Sequence, residues 1–535
     1  MAEKPEKIRA SVQSVAGKGS LDLFKSTPIE VQSTHTAELV IALCGPIGGP
    51  LHVVAKILKR LLTEQLDYEC EIIRLSEIIE ERAGGVPKAP RFERIRSLIE
   101  KGNDIRREHG SCVLADLAIS KIAKHRERYK DAKGSKKYES RRVCHILDSI
   151  KNQEELEALR LVYRDMLYFI GVFSPMPLRE RSLEQQGMSL AQVYQLIDRD
   201  SGEEIEHGQT VRNTFPHADF FLRIDSDNEK PAEEKLKRFL NIIFATEVVT
   251  PTAAETAMHA AASAGGNSAC LSRQVGAAIT DSRGELLAVG WNDVPKFGGG
   301  LYQFHPDTDP RHDYRCMHRG GGTCSNDMKK EELSGDIAKE LAEAEVINSN
   351  DVAKVGTIIR KSKIKDLIEF SRSVHAEMHA IILGSQLAGS RVRGGKLFCT
   401  TYPCHSCARH IILSGISEVY YIEPYRKSLA TKLHDDAITE IESETDKVRI
   451  LPFDGVAPER YLDLFRMNGD SRKLGFSGVM KTTDKKTAVP KCAVTLESLP
   501  ALEALVVQRL INNHVIPVER PQLTDDAGEN LNENA

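Results

Sequence analysis

The chain has 535 residues, of which 41% are hydrophobic, 28% charged and 6% aromatic, and its formal net charge is −4. At about 150 residues per domain, this length excludes a single small module and predicts two or three domains. Because the net charge is slightly negative, the protein has no general positive field to hold a nucleic-acid backbone. Small ligands are therefore favoured over nucleic acid. The 11 cysteines are dispersed, so we expect reduced thiols and treat any cluster of them as a possible metal site.

The sequence predicts a cytoplasmic protein without a membrane partner. No apolar run reaches the length of about 18 residues that a bilayer-spanning helix needs. The first residues, MAEKPEKIRASVQSVAGKGS, lack the apolar stretch of a signal peptide. We interpret residues 1–35 as a polar tail.

The first half of the chain alternates buried strands with helices. Residues 39–44, LVIALC, form an apolar run that ends in a glycine-rich turn, which is typical of a parallel strand. A helix follows, because apolar residues then recur at helical spacing. Further apolar runs predict strands at 143–147, 167–173 and 218–224, with a helix at 154–164. This order predicts an open α/β sheet over residues 36–240.

The turn after the first strand, GPIGGP, resembles a phosphate-binding loop, with Gly45, Gly48 and Gly49 as candidate nucleotide-binding residues. The position of the phosphate-binding lysine is held by Leu51. The region therefore resembles a P-loop kinase in fold, while the cationic clamp for phosphoryl transfer is missing. A regulatory nucleotide sensor or an RNA-docking platform is favoured over an active kinase.

A second domain is predicted over residues 245–465. It begins with an alanine-rich helix, continues with a β-hairpin at 274–290, and is interrupted by a long glycine-containing insertion at 293–370. Residues 466–535 form an extension with a helix near 496–510 and a disordered acidic end. Strands are expected at 396–401, 418–422 and 448–453.

One group of residues in this domain predicts a catalytic metal site. His375-Ala-Glu377 is followed by Pro-Cys404-His-Ser-Cys407, which matches the H-x-E…P-C-x-x-C signature of zinc nucleobase deaminases. One imidazole and two thiolates fill three tetrahedral positions of Zn²⁺ and leave the fourth for water, while Glu377 moves protons. Two alternatives are a structural zinc site and a chance coincidence of one His and two Cys. A closed structural site requires a fourth protein ligand at matching spacing, so a catalytic site is favoured.

The surrounding residues resemble the CMP/dCMP-type deaminase family over about residues 250 to 465. The similar segments are TTYPCHSCARH at 400–410, YIEPY at 421–425, and SRQVGAAI at 272–279 followed by GWN. The resemblance implies a cytidine-deaminase-like α/β/α fold and substrate-binding roles for Arg273 and for Asn292, at the family's sugar-contacting position. His379 replaces the Asn of the family pattern HAExNA; a packed helix residue is favoured over a reshaped pocket.

Within this family, a deaminase preceded by a P-loop-kinase-like domain resembles the bacterial anti-phage dCTP deaminases. The resemblance implies deamination of free deoxycytidine nucleotides (dCTP and dCMP), inhibition by a small antitoxin RNA, and a homo-oligomer. One alternative is a deaminase that edits RNA or single-stranded DNA, which the acidic balance and few aromatics disfavour. Another is a nucleotide- or RNA-sensing binding protein, which the intact zinc signature disfavours.

The insertion offers two further hypotheses. A second, structural metal site would use four residues that lie among glycines: His312, Cys316, His318 and Cys324. Alternatively, the insertion is a lid over the substrate triphosphate, with three arginines as charge partners: Arg311, Arg315 and Arg319.

Overall fold

The computed structural model describes most of residues 34–517. Outside the described residues lie 1–33, 85–88, 135–136, 201–210, 227, 308, 425–427, 468–471, 475–476, 493 and 518–535. The predicted N-terminal tail, apart from its last two residues, and the predicted acidic end therefore lie outside the described residues.

In the described residues, two six-stranded sheets carry the fold. The strands are β1 Leu39–Cys44, β2 Glu69–Arg74, β3 Val143–Asp148, β4 Leu167–Phe173, β5 Phe220–Arg223, β6 Gly276–Thr280, β7 Leu286–Trp291, β8 Lys396–Thr401, β9 Glu418–Glu423, β10 Ile438–Thr439, β11 Val448–Pro452 and β12 Gly455–Val456.

Helices flank both sheets. They are α1 Leu51–Leu66, α2 Leu75–Arg82, α3 Arg91–His109, α4 Val113–Ala132, α5 Gln153–Tyr163, α6 Met176–Glu184, α7 Leu190–Asp200, α8 Val211–Thr214, α9 Glu229–Ile243, α10 Ala253–Gly265, α11 Ser325–Glu343, α12 Val352–Lys361, α13 Ala376–Ala388, α14 His405–Ser414, α15 Ala430–Leu433, α16 Tyr461–Phe465 and α17 Ser498–Asn512. Within the described ranges, none of them combines the length and the apolar character that crossing a membrane requires.

The first sheet has the order β12-β5-β4-β1-β3-β2, and all its strands are parallel except β12, which pairs antiparallel with β5. The central strand β1 is buried along its whole length, which explains its uniformly apolar sequence. The predicted parallel α/β sheet is confirmed. Its edge strand β2 was not predicted, because Glu69 and Glu71 are exposed and interrupt the apolar run.

The second sheet has the order β10-β11-β9-β8-β6-β7. Strands β6 and β7 form the predicted antiparallel hairpin, and β8, β9, β11 and β10 are parallel. Helix α13 packs on β7 at Gly290, where an added Cβ would lie 2.5 Å from the carbonyl oxygen of Ala376. Only glycine therefore permits this approach, which fixes the start of α13 against the sheet.

The two sheets are joined by side chains near residue 255. Helix α10 starts at a capping box of Thr252 and Glu255. The buried Glu255 carboxylate also accepts hydrogen bonds from Arg238 (2.7 Å) and from the backbone N–H of Val456 (2.9 Å). Strand β12, although it follows the second sheet in the chain, extends the first sheet. The C-terminal helix α17 likewise packs on α4.

Candidate active site and metal centre

The three candidate ligands lie at the starts of two helices. His375 is the N-cap residue of α13, with φ −80° and ψ 155°. Cys404 is the N-cap of α14, where its Sγ accepts a hydrogen bond from the backbone N–H of Cys407 at 3.5 Å. The partial positive charge of a helix N-terminus favours the thiolate form that binds metals. The starts of α13 and α14 thus fix the positions of the three candidate ligands.

The ligand atoms have the spacing of a tetrahedral site. His375 Nδ1 lies 3.2 Å from Cys407 Sγ and 3.4 Å from Cys404 Sγ, and all three atoms lie within 4.8 Å of one another. Zinc bonds of about 2.1 Å to nitrogen and 2.3 Å to sulfur place neighbouring ligand atoms about 3.6 Å apart. The trio therefore fits Zn²⁺ with little movement.

The electrostatics of the trio also suit a metal. Hydrogen bonds from Cys407 and His375 lower the pKa of Cys404 to about 4, and the interaction with Cys404 raises the pKa of His375 to about 9. The hydrogen bond with Cys404, together with burial, raises the pKa of Cys407. These shifts favour the thiolate form of Cys404, and metal binding releases the protons that remain on the ligands.

Glu377 lies two residues after the histidine ligand, in the first turn of α13, and is 4% exposed. Burial raises the pKa of its carboxyl, an effect that His375 partly offsets. A carboxyl whose pKa moves towards neutrality is suited to both accepting and donating a proton. A buried carboxyl in this position can therefore hold and release a proton beside the three candidate ligands.

A cavity of about 480 Å³ opens beside the trio, and His375, Glu377 and Cys404 line it together with Asn292 and Arg273. The structure thus brings Glu377, two of the three predicted metal ligands and the predicted substrate-binding residues to one cavity, and Cys407 completes the ligand trio outside the cavity lining. A pocket of this size holds a nucleotide-sized ligand.

The polar atoms of Asn292 are turned towards the backbone. Its Oδ1 accepts from the N–H of Val275 at 2.7 Å, and its Nδ2 donates to the carbonyl of Arg273 at 2.8 Å. Arg273 is half exposed, and its guanidinium lies 3.2 Å from Glu423 Oε2. Asn292 therefore positions the segment that carries Arg273, besides lining the cavity wall.

Sequence reasoning offered the insertion as a lid over the substrate, but it missed the insertion residues that line this cavity. Asn326, Lys330 and Lys365 line it; Lys330 is 5% exposed, and its Nζ donates to the carbonyl of Lys365 at 2.8 Å. In the sequence these residues belong to a charged helical stretch that looks like a solvated face. Only the packing of α11 beside the segment around Lys365 reveals their place.

The four residues proposed for a second metal do not come together. Among the described residues, no three of the ligand atoms of His312, Cys316, His318 and Cys324 lie within 4.8 Å of one another. Cys316 is buried, and Cys324 Sγ lies 3.6 Å from Ser272 Oγ. Their arrangement gives the second metal no support.

The three insertion arginines do not line the cavity in the described part of the chain. Arg311 pairs with Asp309 at 2.5 Å, and Arg315 pairs with Asp313 at 2.6 Å. Neighbouring carboxylates therefore occupy two of the three arginines that were expected to face a triphosphate. The cations that line the cavity are different residues.

His379 packs away from the cavity, as the sequence favoured. Its Nδ1 accepts from the backbone N–H of Trp291 at 3.2 Å, and its ring meets the Trp291 ring edge-on at 4.8 Å between centroids. Burial lowers the pKa of His379. A neutral, packed imidazole therefore fixes α13 on β7.

The glycine-rich loop after β1 borders a second cavity, of about 380 Å³. The buried carboxylate of Asp200 accepts from the backbone N–H of Ile47 at 2.6 Å and from Lys151 at 2.9 Å. An added Cβ at Gly48, whose φ is +79°, would lie 2.9 Å from the carbonyl of Arg179. The positive φ and the close packing thus explain why residue 48 is a glycine. The Asp200 carboxylate already accepts one backbone N–H of the loop, that of Ile47.

Residues 251–423, about a third of the chain, match the family model of the cytidine and deoxycytidylate deaminase zinc-binding region. The match contains the three ligands, Glu377 and the cavity-lining residues. The metal of this site is Zn²⁺.

Curated relatives match shorter segments. ComE operon protein 2 of Bacillus subtilis (strain 168) is 38% identical over 73 residues, which are 14% of this chain and 38% of that protein. The deoxycytidylate deaminases of Enterobacteria phages T2 and T4 are each 38% identical over 55 residues, 10% of this chain and 29% and 28% of those proteins. The chain therefore spans less than two fifths of each of these relatives.

Among solved structures, dCMP deaminase from the cyanophage S-TIM5 is similar to part of the chain. Its apo form is 18% identical, with a TM-score of 0.21, and covers 38% of this chain and 100% of that chain. Its complex with dCMP and dUMP is 20% identical, with a TM-score of 0.23, and covers 38% of this chain and 99% of that chain. The family resemblance thus rests on residues 251–423, which are similar to the cytidine and deoxycytidylate deaminase zinc-binding region.

Proposed function

We propose that the protein is a zinc-dependent hydrolase that deaminates free deoxycytidine nucleotides, converting dCMP or dCTP into dUMP or dUTP with release of ammonia. The observation that carries the proposal is that the three candidate metal ligands lie together, and that two of them, with the buried Glu377, line one open cavity. A structural zinc site would be closed by a fourth protein ligand, and the described part of the chain adds none to this group.

The chain's own residues fit such a reaction. Zinc bound by His375, Cys404 and Cys407 supplies Lewis-acid activation of water at neutral pH. Glu377 takes a proton as the water oxygen attacks the amine-bearing ring carbon. It delivers that proton to the ring nitrogen, and then moves the second proton of the attacking water from the oxygen to the amine. The carbon–nitrogen bond breaks, a carbonyl replaces the amine, and ammonia leaves.

The choice of a free nucleotide rests on the cavity rim and on the relatives. Arg273, Lys330 and Lys365 are cations at the cavity, interspersed with Asp327 and Asp366. To bind substrate phosphates, Arg273 would exchange its contact with Glu423, and Lys330 its hydrogen bond to the Lys365 carbonyl. The T2 and T4 relatives are deoxycytidylate deaminases, which supports a deoxycytidine base and sugar. Both dCMP and dCTP are within the proposal.

The remaining parts of the proposal concern regulation. We place a regulatory nucleotide- or RNA-binding domain at 36–240 and the deaminase domain at 245–465. The cavity beside the glycine-rich loop supports a nucleotide site, because parallel α/β sheets bind ligands at the carboxyl ends of their strands. Depletion of dCTP as defence against phage, an inhibitory RNA, a homo-oligomer and a cytoplasmic location follow from the resemblance and composition and stay predictions.

The test is ammonia release and product mass with dCTP, dCMP, CTP, cytidine and deoxyadenosine nucleotides, each supplied separately. We expect conversion of dCTP or dCMP by the wild-type protein. Glu377→Gln, which keeps the shape of the side chain, should lower turnover by about 10² to 10⁴-fold while zinc content stays at the wild-type value.

A matched control is Glu340→Gln, on the exposed face of α11, which should retain full turnover. Wild-type turnover in Glu377→Gln would contradict the assigned role. Conversion of cytidines within RNA or single-stranded DNA, but not of free nucleotides, would favour the polynucleotide alternative. Tight RNA binding without any deamination would favour a binding protein.

A further inference from the structure

A second group of metal-binding side chains lies at the β2 edge of the first sheet. Glu71 on β2 and His145 on β3 are direct partners in the parallel pairing, and His125 reaches them from α4. We infer that these three side chains bind a divalent transition-metal ion, with Zn²⁺ as the best match. This inference is independent of the proposed deaminase function.

The ligand atoms form a triangle of the right size. His125 Nδ1 lies 3.0 Å from His145 Nε2, and Glu71 Oε2 lies 3.6 Å from the first atom and 3.7 Å from the second. A tetrahedral ion with bonds of about 2.1 Å places its ligand atoms about 3.4 Å apart. The three separations are therefore close to one face of such a tetrahedron.

A hydrogen bond between the two imidazoles explains only part of this geometry. It accounts for the 3.0 Å separation of His125 and His145. The two distances to the Glu71 carboxylate are too long for hydrogen bonds, although the carboxylate is nearly equidistant from both nitrogens. A shared cation gives a single reason for all three separations.

The outer nitrogen of His125 also has a suitable neighbour. His125 Nε2 lies 3.8 Å from Glu69 Oε1, on the same edge strand. Metal-binding histidines commonly present their second ring nitrogen to a carboxylate, which fixes the ring orientation and the tautomer. At 3.8 Å this contact is longer than a hydrogen bond, so Glu69 adds negative charge beside His125 without fixing its ring, while Glu71 completes the ligand set.

The charge balance favours a divalent ion here. Arg126 and Arg141 lie near His145, but both contact the buried carboxylate of Glu38, at 2.6 and 3.0 Å. Arg126 also lies 2.9 Å from Glu503, so two carboxylates stand against the two guanidinium charges. The two carboxylates of Glu69 and Glu71 remain on the edge strand beside the imidazoles.

Imidazole and carboxylate ligands suit zinc and neighbouring first-row metals. His145 is 1% exposed, His125 is 26% exposed and Glu71 is 48% exposed, so solvent can reach the site and complete the coordination. Because the ligands come from the edge strand, its neighbour and the covering helix, a bound ion would pin β2 to α4. We therefore expect the ion to stabilise this edge of the sheet.

The test counts metal on the full chain. After removal of metal with a chelator, wild-type protein dialysed against Zn²⁺ should bind two ions per chain. Glu71→Gln and His125→Ala should each lose one. The matched control is His109→Ala, another helical histidine beside a glutamate, 3.8 Å from Glu108; it should keep both ions.

Cobalt separates the two sites without using activity. Co²⁺ bound to Cys404 and Cys407 gives thiolate-to-metal charge-transfer absorption, whereas a site of two imidazoles and a carboxylate gives only weak visible bands. The charge-transfer absorption should persist in Glu71→Gln, which is on the exposed edge strand and leaves the core unchanged. One ion per wild-type chain that both variants retain, or two ions per chain in both variants, would overturn the inference.

Discussion

At the scale of single residues, Cys407 is the ligand whose environment tolerates change least. It is 0% exposed, and its Sγ lies 3.2 Å from His375 Nδ1. Serine is a poor zinc ligand beside the remaining imidazole and thiolate. We expect Cys407→Ser to lose the zinc ion of this site and, with it, stabilisation of the two helix starts. Zinc content and the thermal unfolding midpoint, measured together, check this.

The control for that prediction is Cys492→Ser. Cys492 Sγ donates to the carbonyl of Thr36 at 3.3 Å, a hydrogen bond that a serine hydroxyl can also make. This variant should keep its zinc and unfold near the wild-type temperature. Equal zinc content in Cys407→Ser and wild type would remove Cys407 from the ligand set.

The residues of the site differ in how far the sequence predicts them. The candidate zinc ligands are predicted because their spacing follows from local structure. His375 lies at the start of α13, and Cys404 and Cys407 lie at the start of α14. Lys330 and Lys365 were missed because they reach the cavity only through the packing of the insertion. A charged residue on a helix gives no sequence signal that distinguishes a cavity wall from solvent.

At the scale of elements, the contact of α13 with β7 sets the position of the site. An added Cβ at Gly290 would lie 2.5 Å from both the carbonyl oxygen of Ala376 and the backbone nitrogen of Ala380. Since these are backbone atoms, the helix must move as a whole. Gly290→Ala should lower the free energy of unfolding by about 3 kcal/mol and reduce turnover. Urea unfolding and ammonia release measure the two effects.

Replacement of Gly335, which has open space around it, should change the free energy of unfolding in the opposite direction. Gly335 lies within α11, and nothing is within 4 Å of a Cβ added there. Gly335→Ala should therefore raise the free energy of unfolding by about 0.5 to 1 kcal/mol through helix propensity. If both alanines changed stability alike, close packing at Gly290 would not be the cause.

The elements predicted from sequence are those with an unbroken pattern. Strand β4 matches its predicted range, residues 167–173, because it is central and uniformly apolar. Strand β2 was missed because an edge strand needs only one buried face, and its glutamates break the apolar run. The strand predicted at 218–224 is shorter in the structure, since its first two residues lead out of a short 3₁₀ turn.

At the scale of the whole molecule, a buried ion cluster connects segments far apart in the chain. Arg126 on α4 lies 2.6 Å from Glu38, next to β1, and 2.9 Å from Glu503 on α17. Arg141 lies 3.0 Å from Glu38. Two cations and two anions thus meet where the C-terminal helix covers the first sheet. No local sequence pattern predicts this, because Arg126 and Glu503 alone are 377 positions apart.

Removing one anion from this cluster should be costly. Glu503 is 1% exposed, and Glu503→Ala would leave a buried guanidinium with one fewer partner. Breaking a buried pair by deleting one member costs about 3 to 5 kcal/mol, because the remaining charge stays desolvated. We therefore expect a loss of this size in urea unfolding, whereas Glu497→Ala, at the exposed start of the same helix, should cost less than about 1 kcal/mol. A small effect of Glu503→Ala would mean that α17 separates readily and that water then solvates Arg126. A large effect would make the C-terminal helix an integral part of the first sheet's cover, since the charge that it neutralises lies beneath it.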